Sequence, residues 1–523
     1  MNSDQGPVWR PKPGDKIIRR PRIKAYPLRR VLGIPALYSA GYGNVGSSIY
    51  YALGVIALAA MGATPIVLGI AGIFFIFTAL TYAEGTALLP EAGGSSSFAR
   101  QGGNDLTGFI SGWALMLSYI VTIAISAFTI PPYLGYFWEP FKNDPAVGTF
   151  VAMGIVGFLM LINVVGIKET SFLNIAAAVL DLCVQLLIIV LGLIFVFNLD
   201  KLMFNITNYW PSTENLFLGI ALAAIAYTGV ETMSQMAEET KQPAKRVPAA
   251  LILMVITVLL LFSGISTVGF STMTPAELST EWATDPIAGI AFHIAESVTP
   301  EDLAARLSSE PEFIIIFKWV FNGIRNLLPG LVAVLAATIL LIATNAGLMG
   351  ISRLAFSLGR YQLVPPMLSR IHKRFKTPYF AIILFSSVAI LILIPSLFAK
   401  EGFLRLGTLY AFGSLLSFTF AHAAIIGIRI KHPDWHRPFK LRGNITIKNR
   451  EIPLTAVLGL LGTLATWLVL VYTQPYTRLL GFLWIGIGII VYIVFRRRNK
   501  LSIGGTAKKS THIQVRDDRI SIK

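Results

Sequence analysis

Residues 41–48 read Gly-Tyr-Gly-Asn-Val-Gly-Ser-Ser and lie in the middle of the first long apolar stretch of the chain. Residues 226–231 read Ala-Tyr-Thr-Gly-Val-Glu and interrupt the sixth apolar stretch at a matching place. Because clustered glycine and hydroxyl residues form poor helix, the backbone is predicted to unwind at both places and to present free N–H and C=O groups. Helices broken at corresponding points of two halves are typical of secondary transporters.

The composition places the chain in a membrane. It has 523 residues, of which 54% are hydrophobic and 14% charged, too few charged groups to cover a soluble globule of this size. Runs of about 18 or more apolar residues predict about twelve spans. These spans are expected near 32–58, 65–89, 107–137, 147–167, 172–198, 214–236, 247–270, 326–351, 378–398, 403–428, 453–473 and 477–495. The predicted fold class is therefore an all-α integral membrane protein.

We interpret the net charge of +17 as a consequence of membrane topology, with the basic residues concentrated on one side of the membrane. Most lysines and arginines fall on one side if the N-terminus is cytoplasmic, which predicts a multi-pass protein of the cell membrane with both termini inside. Contact with anionic membrane lipids explains the basic excess better than nucleic acid does. The single cysteine, Cys183, lies inside a span and excludes an intramolecular disulfide. The sequence leaves the oligomeric state open.

Five segments are predicted along the chain. They are a basic cytoplasmic tail at 1–31, a ten-helix transport core at 32–430, a basic cytoplasmic loop at 431–452, spans eleven and twelve at 453–495, and a disordered tail at 496–523. The two broken helices are five spans apart, and an odd number reverses direction, so spans one to five and six to ten form an inverted repeat with two peripheral spans. The segment near 271–325 is expected to form one or two short helices as an outer lid.

Four stretches in order resemble the amino acid–polyamine–organocation superfamily over roughly 30–430. They are 82–84 (Tyr-Ala-Glu) with 90–95 (Pro-Glu-Ala-Gly-Gly-Ser); 229–231 (Gly-Val-Glu) leading to 237–243 (Ala-Glu-Glu-Thr-Lys-Gln-Pro) and 246–248 (Arg-Val-Pro); 345–347 (Asn-Ala-Gly) with 352–356 (Ser-Arg-Leu-Ala-Phe); and Thr377-Pro378. The resemblance implies a fold of five plus five inverted spans like that of the sodium-coupled leucine transporters. It also implies alternating access and transport of amino acids or related amines, driven by protons, sodium or exchange.

The two interruptions supply the predicted substrate site. Amide groups around Gly46, Ser47 and Ser48 would favour a substrate carboxylate at a half-helix N-terminus, and carbonyls near Ile225 and Thr228 would accept from an ammonium group. The alternative is that small residues here only allow close helix packing. The predicted substrate-binding residues are Asn44, Val45, Gly46, Ser47, Ser48, Tyr119, Thr122, Ile225, Tyr227, Thr228 and Gly229.

Two acidic residues are candidates for coupling or gating. Asp181 lies about 13 Å into the fifth span, near the membrane midplane, where a carboxylate is costly unless it is protonated or partnered. Such a group suits proton loading and release; the alternatives are cation binding, a basic substrate, or packing alone. In some proton-coupled relatives a lysine that replaces a sodium ion occupies this position, as the resemblance implies. Glu231 closes the sixth-span interruption and is as suited to a structural role as to gating.

A second set of residues suggests a different transported species, a monovalent cation. Tyr119, Thr122 and Ser126 share one face of the third span, and Tyr51 and Tyr410 could join them. Neutral oxygens on one face can coordinate a dehydrated cation, orient a polar substrate, or simply bond between helices. The set also resembles bacterial proton-coupled potassium importers, whose first span carries an acidic residue near the position of Asn44. The alternative function is therefore a monovalent cation importer.

Enzyme motifs are missing from the sequence. It contains no phosphate-binding glycine loop and no Cys/His metal spacing, so no catalytic residue, metal or cofactor is expected. The predicted partners are a small-molecule substrate, a coupling H⁺ or Na⁺ ion and membrane lipids. The substrate is expected to be a neutral amino acid or a related small amine.

Overall fold

The computed structural model describes residues 30–166, 171–297, 311–375, 377–397, 402–447, 450–505, 513–516 and 519–522. Helices occupy Ile34–Val45, Ile49–Ala60, Thr64–Leu88, Ser95–Gly102, Asp105–Leu134, Pro140–Asn143, Pro145–Val165, Ser171–Phe195, Leu199–Asn208, Thr213–Ala223, Val230–Gln235, Pro243–Thr272, Pro275–Thr280, Pro286–Ser297, Pro311–Arg360, Tyr379–Leu393, Gly402–Lys431, Leu454–Thr473 and Pro475–Arg498. Short 3₁₀ segments lie at Gly46–Ser48, Met61–Ala63, Ala224–Tyr227, Ala237–Glu239 and Ile394–Leu397. Two antiparallel pairs join Asn444–Ile447 to Arg450–Pro453 and Ile513–Arg516 to Arg519–Ile522.

The all-α membrane fold is confirmed. Within the described residues, 11 stretches are long and apolar enough to cross a bilayer. The first of them, Ile34–Leu88, contains both the first and second spans, which meet at Met61 in a left-handed backbone conformation. Each of the twelve predicted spans therefore has a helical counterpart.

Burial varies widely among the spans. The third span, Asp105–Leu134, is 94% buried over its most apolar window, and it packs against the eighth and tenth spans. The eleventh and twelfth spans are 33% and 17% buried and pack beside the tenth. The fourth span, Pro145–Val165, is 28% buried over the same kind of window, so burial alone does not divide ten core spans from two peripheral ones, and that division stays a prediction.

A buried ion pair fixes the loop between the tenth and eleventh spans. Arg429 Nε donates to Glu84 Oε1 at 2.8 Å, and both side chains are at most 2% exposed. The amide of Leu441 donates to the other Glu84 oxygen at 2.8 Å. One carboxylate thus joins the second span, the tenth span and the loop, and each of its oxygens has a donor, as a buried charge requires.

The two interrupted helices differ in how far they depart from helix. In the sixth span the break is complete: Thr228 is extended, with ψ 149°, and Gly229 has φ 120°. In the first span the chain only tightens into the 3₁₀ turn Gly46–Ser48, and its dihedrals stay in the right-handed helical region. The hydroxyls of Ser47 and Ser48 donate to the carbonyls of Asn44 and Val45. These bonds stabilise a turn whose residues have a low helix propensity.

Candidate functional site

The interrupted parts of the first and sixth spans touch each other. The Ser48 hydroxyl donates to the carbonyl of Ala226 at 2.7 Å, and Asn44 Nδ2 donates to Thr232 Oγ1 at 2.9 Å. A Cβ atom at Gly229 would lie 2.7 Å from Val45 Cγ2. The two interruptions therefore form one junction in the centre of the protein, as their positions in the sequence predicted.

Backbone groups predicted to bind substrate are engaged at this junction. The Gly46 amide donates to the Tyr42 carbonyl, and the Ile225 carbonyl accepts from the amide and hydroxyl of Thr228 at 3.2 and 2.8 Å. The Thr228 hydroxyl also lies 2.6 Å from the Tyr410 hydroxyl. In this arrangement the Gly46 amide and the Ile225 carbonyl are both bonded within their own spans, so a carboxylate could reach the Gly46 amide only after the first span opens.

A face of hydroxyl groups borders the junction. Tyr51, Tyr119 and Ser126 are at most 1% exposed, and their hydroxyls have no hydrogen-bond partner of normal geometry among the described residues. Tyr51 faces Tyr410 and Ser126, while Tyr119 faces Thr232. Buried hydroxyls without partners are unfavourable, so this face suits a polar ligand that supplies the missing hydrogen bonds.

The hydroxyls of Thr122 and Tyr227, unlike that of Tyr51, donate to backbone carbonyls. Thr122 faces Tyr410 but donates to the Ser118 carbonyl of its own helix at 2.9 Å. The Tyr227 hydroxyl donates to the Leu68 carbonyl at 2.9 Å, and its ring stacks on Phe75 with centroids 5.0 Å apart. Tyr227 therefore packs against the second span, and the structure does not bring its hydroxyl into the hydroxyl face.

Asp181 is buried and has three donors. Its side chain is 1% exposed and accepts from the hydroxyls of Tyr42 and Tyr50 at 2.8 and 2.6 Å and from Gln185 Nε2 at 2.7 Å. Tyr42 precedes the 3₁₀ turn of the first span, and Tyr50 follows it. In the described part of the chain no lysine or arginine pairs with Asp181. One carboxylate therefore ties both halves of the first span to the fifth.

Glu231 is buried at the start of the helix that follows the break. It is 1% exposed, and Oε2 accepts from the Gly229 amide at 3.0 Å. Tyr82, Tyr119 and Tyr410 are its electrostatic neighbours. Glu231 therefore caps the broken backbone, which is the structural role, while its role in gating stays a prediction.

Sequence reasoning missed several polar contacts in the core. Tyr42, Tyr50 and Gln185 surround Asp181. Two features of the sequence could have indicated this: the two tyrosines flank residues 43–49, and Gln185 lies one helical turn after Asp181. His422 lies fully buried, 3.2 Å from the Thr78 hydroxyl and 2.9 Å from the Thr81 hydroxyl. Its apolar sequence neighbours gave no sign of this contact.

Ion pairs close the end of the junction that is predicted to face the cytoplasm. Arg353 of the eighth span lies 3.0 Å from Glu239, and Arg360 lies 3.3 Å from Glu238. Both glutamates follow the second half of the sixth span, so the pairs join that span to the eighth. We refer to these four residues as the inner ion pairs.

At the opposite end, the predicted lid forms two short helices, Pro275–Thr280 and Pro286–Ser297. Between them, Asp285 accepts from Lys142 at 2.8 Å, and the Ile287 amide donates to the Tyr133 hydroxyl at 3.3 Å. Tyr133 in turn donates to the Tyr50 carbonyl of the first span at 2.8 Å. Residues 298–310 of the predicted lid segment lie outside the described residues.

Acid should stabilise the closed lid. Burial raises the pKa of Asp285 to about 6, although Lys142 opposes this shift. Opening exposes the carboxyl to water and returns its pKa towards the usual value near 4, so the closed lid holds more protons between these two pH values. We expect hydrogen exchange of the 282–291 amides, measured by mass spectrometry and corrected for intrinsic rates, to slow as the pH falls from 7 to 5.

Asp285→Asn should abolish this pH dependence and keep exchange slow, because the side chain is then always neutral. Glu281→Gln, which removes an exposed carboxylate of the same lid, serves as the control and should behave as the wild type. An unchanged pH dependence in Asp285→Asn would show that another group governs the lid.

Comparisons with known proteins agree with this architecture. The family model described as amino acid permease matches residues 32–495, which is nearly the whole chain. The branched-chain amino acid permease BcaP of Bacillus subtilis is 27% identical over 497 residues, 90% of this chain and 94% of that protein. The methylthioribose transporter of Bacillus subtilis is 26% identical over 94% of this chain and 99% of its own length. The low-affinity putrescine importer PlaP of Escherichia coli K12 is 22% identical, with coverages of 90% and 94%.

Proposed function

Because this chain belongs to the amino acid permease family, whose members are transporters and not enzymes, we propose that it moves a neutral amino acid or related small amine across the cell membrane by alternating access. The observation that carries the proposal is the central junction, where the broken sixth span meets the first span beside the buried hydroxyls of Tyr51, Tyr119 and Ser126, which make no hydrogen bond of normal geometry within the described part of the chain. The N- and C-termini are placed in the cytoplasm on the distribution of basic residues.

The backbone groups proposed to bind the substrate are hydrogen-bonded within the protein in this structure. When the first span opens at Gly46–Ser48, its amides become available for a carboxylate, which a half-helix N-terminus favours. The substrate ammonium then takes the carbonyls of Ile225 and Ala226, with Glu231 supplying negative charge nearby. Among the relatives, the branched-chain amino acid permease is named for a substrate with both of these groups, whereas putrescine has no carboxylate and methylthioribose has neither group.

A neutral amino acid fits the charge at this site better than a basic one. Apart from Glu231, the groups around the junction are hydroxyls and the Asn44 amide, and Asn44 Oδ1 is buried without a partner. The single carboxylate is sufficient for the α-ammonium group, so a second positive charge would lack a counter-ion. Asp181 already accepts from three donors, the hydroxyls of Tyr42 and Tyr50 and Gln185 Nε2, which compete with a substrate cation for its oxygens.

Alternating access follows from the closures at the two ends. The inner ion pairs join the sixth span to the eighth, and the lid bonds to the first and third spans through Tyr133. Releasing one set while the other holds exposes the junction to one side of the membrane at a time. Both sets are formed in this structure.

Asp181 is the proposed coupling group. As a carboxylate it accepts from Tyr42 and Tyr50 and so holds the two halves of the first span in line. When Asp181 takes up a proton it loses part of its acceptor capacity, which weakens the connection across Gly46–Ser48 and favours opening of the site. Proton uptake and substrate binding are thereby linked, because both require the opened first span.

A monovalent cation importer is the second candidate function. The observation that favours it is the same set of unpartnered hydroxyls, Tyr51, Tyr119 and Ser126, with Thr122 and Tyr410 beside them. Neutral oxygens in such a set can replace the hydration shell of potassium. The first span carries the neutral Asn44 near the position where the potassium importers carry an acidic residue, and the loss of that charge weakens this candidate.

A transport panel in proteoliposomes separates the two functions. Radiolabelled L-leucine, putrescine and rubidium are offered under an inward proton gradient, and empty liposomes serve as the background. We expect leucine uptake that unlabelled leucine inhibits, weak putrescine uptake and no rubidium flux. Rubidium flux that potassium inhibits, together with no amino acid uptake, would replace the first proposal with the second.

A further inference from the structure

One buried amide lies between the central junction and the inner ion pairs and has no role in the mechanism above. Gln235 is 1% exposed, and neither Nε2 nor Oε1 has a hydrogen-bond partner among the described residues. It lies one helical turn after Glu231, as the last residue of the helix Val230–Gln235, and the 3₁₀ turn Ala237–Glu239 that carries the glutamates of the inner ion pairs follows it. A fully buried amide with neither group bonded is unfavourable unless a ligand or water completes it.

The groups near Gln235 form a polar surface. Its Cγ lies 3.8 Å from the position a Cβ would take on Gly94, and the adjacent Gly93 position is 2.3 Å from the Ser97 hydroxyl and 2.9 Å from the Ser357 hydroxyl. The Ser97 hydroxyl is also buried without a partner. Glycine at both positions keeps the backbone open to these side chains, and Gly94 has φ 53°.

Charge around these groups favours a carboxylate. Ser97 is in the first turn of the helix Ser95–Gly102, whose N-terminal dipole attracts negative charge. The neighbouring acids are already paired, since Glu91 lies 3.4 Å from Arg100 and Glu238 lies 3.3 Å from Arg360. Glu238 Oε1 also accepts from the Ala92 amide at 3.1 Å.

We propose that Gln235 and Ser97 form an inner subsite that holds the head group of the amino acid after it leaves the central junction and before the inner ion pairs open. The Gln235 Nε2 and Ser97 hydroxyl donate to the substrate carboxylate, and Gln235 Oε1 accepts from its ammonium group. This inference rests on the proposed function, because it takes the same substrate. It adds a second binding step on the inner part of the path.

The test compares the two faces of the membrane. L-leucine is presented to purified full-length protein in proteoliposomes of known orientation, and KM is measured for leucine at each face. Gln235→Met, which keeps the length of the side chain and removes both polar groups, should raise the cytoplasmic KM about tenfold and leave the outer KM unchanged. Ser97→Ala should raise the cytoplasmic KM about threefold.

Ser111→Ala is the matched control, since Ser111 is another buried serine whose hydroxyl has no partner, and it should leave both KM values unchanged. A purely structural role for Gln235 would alter the two faces alike or only lower the thermal stability. Equal changes at both faces, or no change at either, would overturn the subsite.

A second measurement separates failure of the subsite from failure of the proposed substrate. In a Cys183→Ser background, Ser357→Cys, which lies beside the same Gly93–Gly94 turn and keeps Gln235 and Ser97 intact, is labelled with a maleimide from the cytoplasmic face in the presence of L-leucine, putrescine or rubidium. Leucine should slow the labelling. Protection by putrescine or rubidium alone would contradict the proposed function and retain an inner binding position, whereas no protection by any of the three would overturn the subsite.

Discussion

Replacing Gly229 by alanine should lower substrate uptake at least a hundredfold. The backbone of Gly229 has φ 120°, a conformation that costs a residue with a side chain about 1 to 3 kcal/mol. The added methyl group would also lie 2.7 Å from Val45 Cγ2 and 3.0 Å from the Val45 amide nitrogen. The alanine variant therefore either separates the first and sixth spans or straightens the break, and both changes remove the junction.

Uptake is measured in proteoliposomes per amount of folded protein, with the folded fraction determined by size-exclusion chromatography. Gly154→Ala is the matched control, because a Cβ atom at this fourth-span glycine meets nothing within 4 Å. It should transport and unfold as the wild type does. If Gly229→Ala transports at the wild-type rate, the left-handed break is not required for the transport cycle.

Asp181→Asn should abolish the stimulation of uptake by an inward proton gradient. The asparagine side chain has nearly the same shape and can still accept from Tyr42 or Tyr50, so the protein should fold. It carries no titratable proton, and the connection across the first-span turn can no longer change with protonation. Exchange of labelled for unlabelled substrate without a gradient should continue, since that reaction needs no net proton movement.

Two rates are therefore compared in each variant: uptake under an imposed proton gradient and counterflow without one. Asp200→Asn, on the exposed helix Leu199–Asn208, is the control and should retain both rates. Tyr42→Phe and Tyr50→Phe should each reduce the gradient response in part, because each removes one of three donors. An unchanged pH dependence of uptake in Asp181→Asn would exclude this residue from coupling.

The spans were predictable because they depend on local composition. A stretch such as 454–473 contains too many apolar residues in succession to lie anywhere but in the membrane or a core, whatever its neighbours are. The twelve predicted spans match helices in the structure with small changes at their ends, except that the eighth, predicted at 326–351, lies in the longer helix Pro311–Arg360. The sixth-span break was predictable for the same reason, since the glycine at 229 tolerates a φ value that other residues avoid.

The first-span interruption shows the limit of that reasoning. Glycine and serine at 46–48 allow unwinding but do not require it, and the structure retains a 3₁₀ turn with serine hydroxyls bonded to its own carbonyls. Whether such a segment opens depends on free-energy differences between conformations that neighbouring helices set. Local propensity cannot supply these differences.

By itself, the sequence determined that this protein is a bundle of twelve apolar helices with a break in the sixth and a carboxylate, Asp181, in the middle of the fifth. Tertiary structure alone decided which polar groups meet. Tyr42 reaches Asp181 across 139 residues of chain, Thr228 reaches Tyr410 across 182, and Gln235 finds no partner among the residues that the structure describes. The physical reason is that apolar length and backbone freedom belong to short segments, whereas hydrogen bonds between spans exist only once packing fixes which helix faces meet.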